Sequence, residues 1–243
     1  MMTRTWITGA GSGIGEALAL RLAAEGHSVI ASGRRLEPLT ELAGRGPGIT
    51  PLAVDVTDRA AVQAAVSAMG TIDTAILCAG IHTPTPARSF DADTVRRLME
   101  TNLMGAVHCI EALLPAMIAR GSGHLVLVAS VAGYRGLPTA GGYSASKAGL
   151  IALAESLKLD LDGSGVRVSL INPGFVDTPL TRQNPFPMPD LVTAGQAAEA
   201  ILCGLKAGRF ETAFPFRFAL AMKVLRLLPD RLYFALMHKV TGL

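Results

Sequence analysis

The chain has 243 residues, half of them hydrophobic and 17% charged, and carries a formal net charge of +3. That length suits one large α/β domain or two small ones, and the apolar share supports a substantial core, so global disorder is excluded. So small a charge gives no argument for nucleic acid. Cys78, Cys109 and Cys203 form no CxxC or paired spacing, which argues against a disulfide framework or zinc site and for a reducing, cytoplasmic compartment.

Residues 5–8 read as the first strand and glycine follows at once, so the N-terminus is expected to belong to the fold rather than to a leader. Further short apolar runs lie at 28–32, 50–55, 74–78, 124–129 and 167–171. Continuous apolar runs of this kind suit parallel strands covered on both faces. Helical patterns alternate with them at 13–26, 36–43, 59–69, 92–120 and 143–161. This alternation predicts a single domain built on one doubly wound parallel sheet, with no repeat or linker to divide it. After residue 171 the pattern loosens. Residues 178–190 contain Pro179, Pro185, Pro187 and Pro189 and cannot form one uninterrupted helix; they read equally as a lid or as a surface connection. A helix at 193–206 and a short strand at 211–214 are expected to finish the sheet.

The first strand–helix corner is Thr8-Gly9-Ala10-Gly11-Ser12-Gly13-Ile14-Gly15. Glycines there allow a tight turn and close approach of a phosphate to free amides at the helix start. The run does not follow G-x-G-x-x-G literally, yet its position points to a dinucleotide. The second strand leads into Gly33-Arg34-Arg35, where an NAD-binding chain usually supplies an acid. Arg34 and Arg35 instead offer charge and planar donors suited to a 2′-phosphate, so NADP(H) is expected over NAD(H).

Tyr143 and Lys147, four residues apart, share one helical face. A lysine ammonium beside a phenol favours the phenolate and is expected to lower the Tyr143 pKa toward neutrality, which would let it exchange a proton with a substrate oxygen. The spacing alone favours an ordinary helix with one aromatic and one lysine. The wider sequence decides between the two.

Together these segments resemble the short-chain dehydrogenase/reductases over residues 3 to about 180. The resemblance rests on Thr8-Gly9-x-x-x-Gly13-Ile14-Gly15, Asp55, Ala79-Gly80, Asn102, Ser130, Tyr143-x-x-x-Lys147 and Pro173-Gly174-x-Val176-x-Thr178. It implies a Rossmann-like α/β fold with about seven strands. Gly9, Ser12, Ile14 and Gly15 would surround the pyrophosphate, Asp55 and Val56 would border the adenine, and Ala79 and Gly80 would line the cofactor. Val176 and Thr178 would hold the nicotinamide carboxamide end. Residues 1–214 would then bind the cofactor and carry catalysis, with 215–243 an amphipathic helical extension. One departure is Leu77-Cys78-Ala79-Gly80, where the family often has Asn-Asn-Ala-Gly; apolar packing is expected to replace the missing amides.

For carbonyl reduction, Ser130 would donate to the carbonyl oxygen and Tyr143 would supply the proton. Lys147 would also bind the nicotinamide ribose by resemblance, and Asn102 would hold a water joining Lys147 to solvent. The expected function is an NADP(H)-dependent oxidoreductase on a carbonyl/alcohol pair, with a hydrophobic substrate. A non-catalytic NADP(H)-responsive binding or regulatory protein is the alternative. The resemblance further implies a homodimer or homotetramer. Substrate contacts are expected from 81–90, 132–142 and the stretch after Thr178, with Leu137 and Pro138 offering an apolar wall. His27, His82, His108, His124 and His238 lack ligand spacing, so packing or surface roles are expected rather than a metal site.

From Arg217 onward five basic residues face one acid, a net of +4 that leaves the preceding chain at −1. Two helices split at Leu228-Pro229-Asp230 are expected, with charges too frequent for a membrane span. Projected around the first helix, Arg217, Lys223 and Arg226 would share a limited sector beside a broad apolar remainder. Packing on the domain or on a second subunit leads the readings; membrane-surface attachment and a lid over a lipophilic substrate follow.

Overall fold

The computed structural model describes residues 3–183 and 188–241. Seven parallel strands form one sheet: β1 (Arg4–Thr8), β2 (Ser28–Gly33), β3 (Ile49–Ala53), β4 (Thr74–Leu77), β5 (Gly123–Val128), β6 (Val166–Pro173) and β9 (Glu211–Phe214). Their spatial order is β3-β2-β1-β4-β5-β6-β9. The chain therefore winds outward in one direction from β1, then returns and winds in the other from β4. A crevice opens where that order reverses, at the carboxyl ends of β1 and β4.

The strands are apolar throughout because both of their faces are covered. Along β5, Leu125 and Leu127 enter one hydrophobic core while Val126 and Val128 enter the other; Trp6 and Ile7 divide the same way on β1. Helices α1 (Gly13–Ala24), α2 (Leu36–Arg45) and α7 (Ala194–Lys206) cover one face, contributing Leu18, Leu39 and Ile201 to its core. On the other face lie α3 (Arg59–Met69), α5 (Gly105–Ala119) and α6 (Gly141–Asp160), with Val62, Cys109 and Leu150 in the core. Local signals start these helices. Asp58 accepts from the Ala61 amide ahead of α3, and Thr193 and Gln196 form a reciprocal capping box on α7. Such caps contribute about 1 kcal/mol each.

Three details depart from the sequence reading, and one expected segment lies partly outside the described residues. The strand expected at 50–55 ends at Ala53, leaving Asp55 in the loop beyond it. The long helix expected at 92–120 is divided: α4 (Ala92–Met99) passes through a π-helical turn (Glu100–Met104) into α5. Strand β6 runs on to Pro173, and a small parallel pair, β7 (Val176–Asp177) with β8 (Val192–Thr193), sits beyond it. Of the 178–190 segment, residues 184–187, which include Pro185 and Pro187, lie outside the described residues.

The tail forms α8 (Phe216–Leu227) and α9 (Asp230–Thr241). Its apolar remainder is split rather than continuous. Ala219 and Met222 point into the same core as Trp6, while Phe216, Leu220, Val224 and Leu227 face outward. Lys223 leaves the expected basic sector to pair with Glu211 at 2.5 Å. The helix spanning 92–119 is long and apolar enough to cross a membrane, yet Leu98, Asn102, Cys109, Leu113 and Met117 bury one of its faces in the fold.

Candidate active site

The crevice encloses a cavity of about 550 Å³. Its floor begins at the glycine turn. Gly9 takes φ +69°, and a Cβ there would lie 2.8 Å from the Ala79 backbone; a Cβ on Gly15 would lie 2.4 Å from the Gly9 carbonyl oxygen. Only glycine fits this pinch between β1, α1 and the end of β4. Ser12, the residue preceding α1, makes no side-chain cap, so the first amides of α1 at Gly13 and Ile14 are available to an anion, while the Gly15 amide meets the Cys78 sulfur. Thr8 accepts from the amides of Cys78 (3.0 Å) and Ala79 (3.1 Å), bracing the end of β4. Leu77 is buried in the core, so apolar packing does stand where the family's amides are missing.

At one end Arg34 and Arg35 line the cavity, both exposed and with no hydrogen bond or ion pair among the described residues. Asp55 and Val56 line it next to them. Asp55 Oδ1 accepts from the Thr57 amide and hydroxyl, so this carboxylate braces a turn as well as facing the cavity. Ala79 and Gly80 form the middle. Ser130, Tyr143, Lys147, Pro173, Gly174, Val176 and Thr178 close the far end. An elongated pocket with a glycine cradle at a helix start and unpaired guanidiniums at one end fits a dinucleotide carrying an extra phosphate.

Asn102 is the exception among the expected site residues: it lies behind the cavity wall, buried in the π-turn. Its Oδ1 accepts from the Ile81 amide at 2.7 Å, and its Nδ2 donates to Ile81 O and Ser146 Oγ, both at 3.0 Å. The π-turn widens the helix by one residue and aims this amide at the loop after β4. A Cβ on Gly80 would lie 3.4 Å from Asn102 Oδ1 and 3.5 Å from Lys147 Nζ, so Gly80 keeps the space between them open.

Ser130 hydrogen-bonds Tyr143, accepts from the Ala132 amide at 3.1 Å and donates to Pro173 O at 3.3 Å. Lys147 is buried, donates to Val128 O at 2.9 Å, and lies 5.8 Å from the centre of the Tyr143 ring. The electrostatics correct the sequence reading. Burial pushes Tyr143 up to about 12, against the opposing bond from Ser130, and pushes Lys147 down to about 8. The ammonium is therefore lost at a lower pH than the phenol would ionise, so Lys147 does not bring Tyr143 to neutrality in the resting site.

Three neighbours lie in stretches the sequence reading marks without giving them roles of their own: His82 within 81–90, Cys78 beside Ala79-Gly80, and the turn after Thr178. The His82 ring stands edge-on to Tyr143, with centroids 4.8 Å apart, its Nδ1 buried and without a hydrogen-bond partner. Burial lowers its pKa. Cys78 lines the cavity, and its thiol is pushed up to about 11 by burial, so it is an inert wall rather than a nucleophile. The turn at Leu180 and Thr181 completes the wall; Gln183 Nε2 donates to His82 O at 3.0 Å, joining that turn to the loop after β4. The position of His82, two residues past Ala79-Gly80 at a strand's carboxyl end, was the signal available.

A family model described as short chain dehydrogenase matches residues 4–186. An uncharacterized oxidoreductase of Myxococcus xanthus is 41% identical over 235 residues, 93% of each chain. A 2-dehydro-3-deoxy-L-rhamnonate dehydrogenase (NAD(+)) of a Sphingomonas strain is 37% identical over 184 residues, 74% of each. Among solved structures, a short chain dehydrogenase of Burkholderia cenocepacia in complex with NADP superposes with a TM-score of 0.87 at 28% identity, covering 97% of both chains.

Proposed function

This chain belongs to the short-chain dehydrogenase/reductase family of oxidoreductases, and we propose that it interconverts a carbonyl and an alcohol with NADP(H), residues 1–214 binding cofactor and substrate and 215–243 extending that unit. The observation that carries this reading is the single cavity with Arg34 and Arg35 at one end and Ser130, Tyr143 and Lys147 at the other. NADP(H), when bound, supplies or removes the hydride. The guanidiniums would hold its 2′-phosphate, the turn at Gly9, Ser12, Gly13, Ile14 and Gly15 its pyrophosphate, Asp55 and Val56 its adenine end, and Ala79, Gly80, Pro173, Gly174, Val176 and Thr178 the remainder. The NADP bound to the Burkholderia relative supports that choice of cofactor, whereas the Sphingomonas relative is named for NAD(+).

In reduction, Tyr143 donates its phenolic proton to the carbonyl oxygen and is left as a phenolate. Its high resting pKa keeps it protonated, and so a competent donor, across the physiological range. Ser130 turns its hydroxyl toward the oxygen on which negative charge develops. Lys147, cationic at neutral pH with a pKa of about 8, stabilises the phenolate that the transfer creates. Asn102 Oδ1 keeps a second lone pair beside the space at Gly80, where it would hold a water through which protons pass between Lys147 and solvent. The charged side chains lining the cavity are Arg34, Arg35, Asp55 and Lys147, all engaged in the cofactor or proton-transfer roles, while Ile81 and Leu180 wall the substrate end. This favours an uncharged, hydrophobic substrate. A homodimer or homotetramer remains the expected assembly, measurable by light scattering.

Two measurements test the proposal. NADPH oxidation is followed across steroids, fatty acyl carbonyls, quinones and small aldehydes; turnover of at least one carbonyl is expected. Arg34→Ala with Arg35→Ala should weaken NADPH at least tenfold while leaving NADH binding nearly unchanged, in line with about 1.5–3 kcal/mol for a hydrogen bond to a charged group. Equal losses for both cofactors would remove the 2′-phosphate assignment.

A further inference from the structure

Eight of the thirteen exposed large hydrophobic side chains in the described structure fall within the 25 residues from Phe216 to Val240. They are ordered rather than scattered. Along α8, Phe216, Leu220, Val224 and Leu227 recur at helical spacing and form one outward stripe, exposed by 75, 50, 53 and 82%. Leu232, Leu236 and Val240 form a second stripe along α9, exposed by 59, 38 and 71%. Other positions hold the two helices on the body: Ala219 and Met222 enter the core, and Tyr233 is buried with its hydroxyl donating to Gly136 O. The stripes therefore remain uncovered after the fold has taken all it needs from these helices. Rows of exposed apolar side chains of this kind mark an interaction face.

Charge identifies what covers it. Lys223 is paired with Glu211 and Asp230 with Arg135. That leaves Arg217, Arg226, Arg231 and Lys239 exposed and without a carboxylate partner among the described residues. At 100° per residue Arg217 flanks the α8 stripe and Lys239 the α9 stripe, so a second copy of this chain docking by the same face would bring these cations against their own counterparts. An anionic lipid headgroup layer would neutralise them while its acyl region receives the leucines and phenylalanines. We propose that the α8 and α9 helices are an interfacial anchor that seats this protein on an anionic lipid surface. The anchor is rigidly tied to the site. Arg135, five residues after Ser130, donates to the carbonyls of Leu225 (3.2 Å), Arg226 (3.3 Å) and Leu228 (2.6 Å) and stacks 3.9 Å over the Tyr233 ring. On the inner side of α8, Phe218 packs so close to Gly174, a cavity-lining residue, that a Cβ there would lie 2.7 Å from its ring. Lipid seating therefore holds the substrate end of the cavity at a fixed relation to the bilayer.

The test uses the full chain with vesicles of phosphatidylcholine alone and of phosphatidylcholine mixed with phosphatidylglycerol, followed by flotation, with light scattering of the same samples free of lipid. Binding to the anionic vesicles is expected, weakened by salt. The Leu220→Ser/Val224→Ser/Leu227→Ser variant should lose at least about 100-fold in partitioning. Arg217→Gln/Arg231→Gln/Lys239→Gln should lose about 100-fold, near fivefold per charge. All six side chains are exposed, and an unchanged melting temperature certifies each variant as folded. Absence of wild-type binding, or equal binding by the serine variant, overturns the anchor. Equal binding to neutral vesicles overturns its anionic specificity. A drop in solution mass in the serine variant without vesicle binding by the wild type assigns the face to a second copy instead.

Discussion

Removing the Lys147 charge probes how the buried pair works. The ammonium lies 5.8 Å from the Tyr143 ring centre. At an effective dielectric near 20, that separation corresponds to about 3 kcal/mol between a cation and a phenolate, or about 100-fold in rate. Lys147→Met should therefore cut kcat for carbonyl reduction by about 100-fold at pH 6.5, measured at saturating NADPH so that any change in cofactor affinity is separated. The sign of the pH dependence follows from the depressed lysine pKa of about 8. Below it the wild type carries the cation; above it the charge is lost while Tyr143, at about 12, stays protonated. The wild-type to variant ratio should accordingly fall from about 100 toward unity between about pH 7 and 10. A ratio that stays constant across that range would refute electrostatic stabilisation by Lys147 and leave it a positioning role through Val128 O.

Two further perturbations address the scaffold. His124 is buried against Ser169, and burial followed by the Arg167 charge pushes its pKa to about 4 from 6.5. The unfolded chain then binds a proton that the folded chain refuses, so stability falls as pH drops from about 6.5 to 4, by about 3 kcal/mol in all. His124→Gln should flatten that part of the pH dependence in urea titrations; an unchanged slope would place the acid sensitivity elsewhere. Arg135→Ala should destabilise the α8–α9 corner by about 2 kcal/mol, loosening amide exchange in α9 by about 30-fold while the central strands stay protected. Uniform loosening would mean that α9 opens only with the whole fold.

Most of the fold is legible in the sequence because a parallel sheet covered on both faces requires continuous apolar runs, and each run here is followed by a helical pattern. The glycine turn is equally legible, since the pinch at Gly9 and Gly15 tolerates no side chain. Other features depend on tertiary context. The π-turn carrying Asn102 is hidden inside a good helix-forming stretch, and two-residue strands such as β7 and β8 carry no periodicity to detect. The order of the Tyr143 and Lys147 pKa values is set by burial, which their four-residue spacing cannot express. His82 reaches Tyr143 only because the loop after β4 folds back over α6. In the tail, the helical projection located the apolar residues but could not divide them between the core and the outside. That division follows the anchors the body supplies: the ion pair of Lys223 with Glu211 and the bonds of Arg135 to the α8–α9 corner.

The role of Tyr143 as the proton donor is tested most directly by Tyr143→Phe, assayed with a carbonyl substrate that the wild type turns over and with NADPH binding titrated in parallel. The phenyl ring preserves the packing against His82 and removes only the hydroxyl that meets Ser130. NADPH affinity should change by less than about threefold, while turnover should fall by about 100-fold or more, the usual contribution of a positioned general acid. Turnover at the wild-type rate with NADPH still bound would contradict proton transfer by Tyr143.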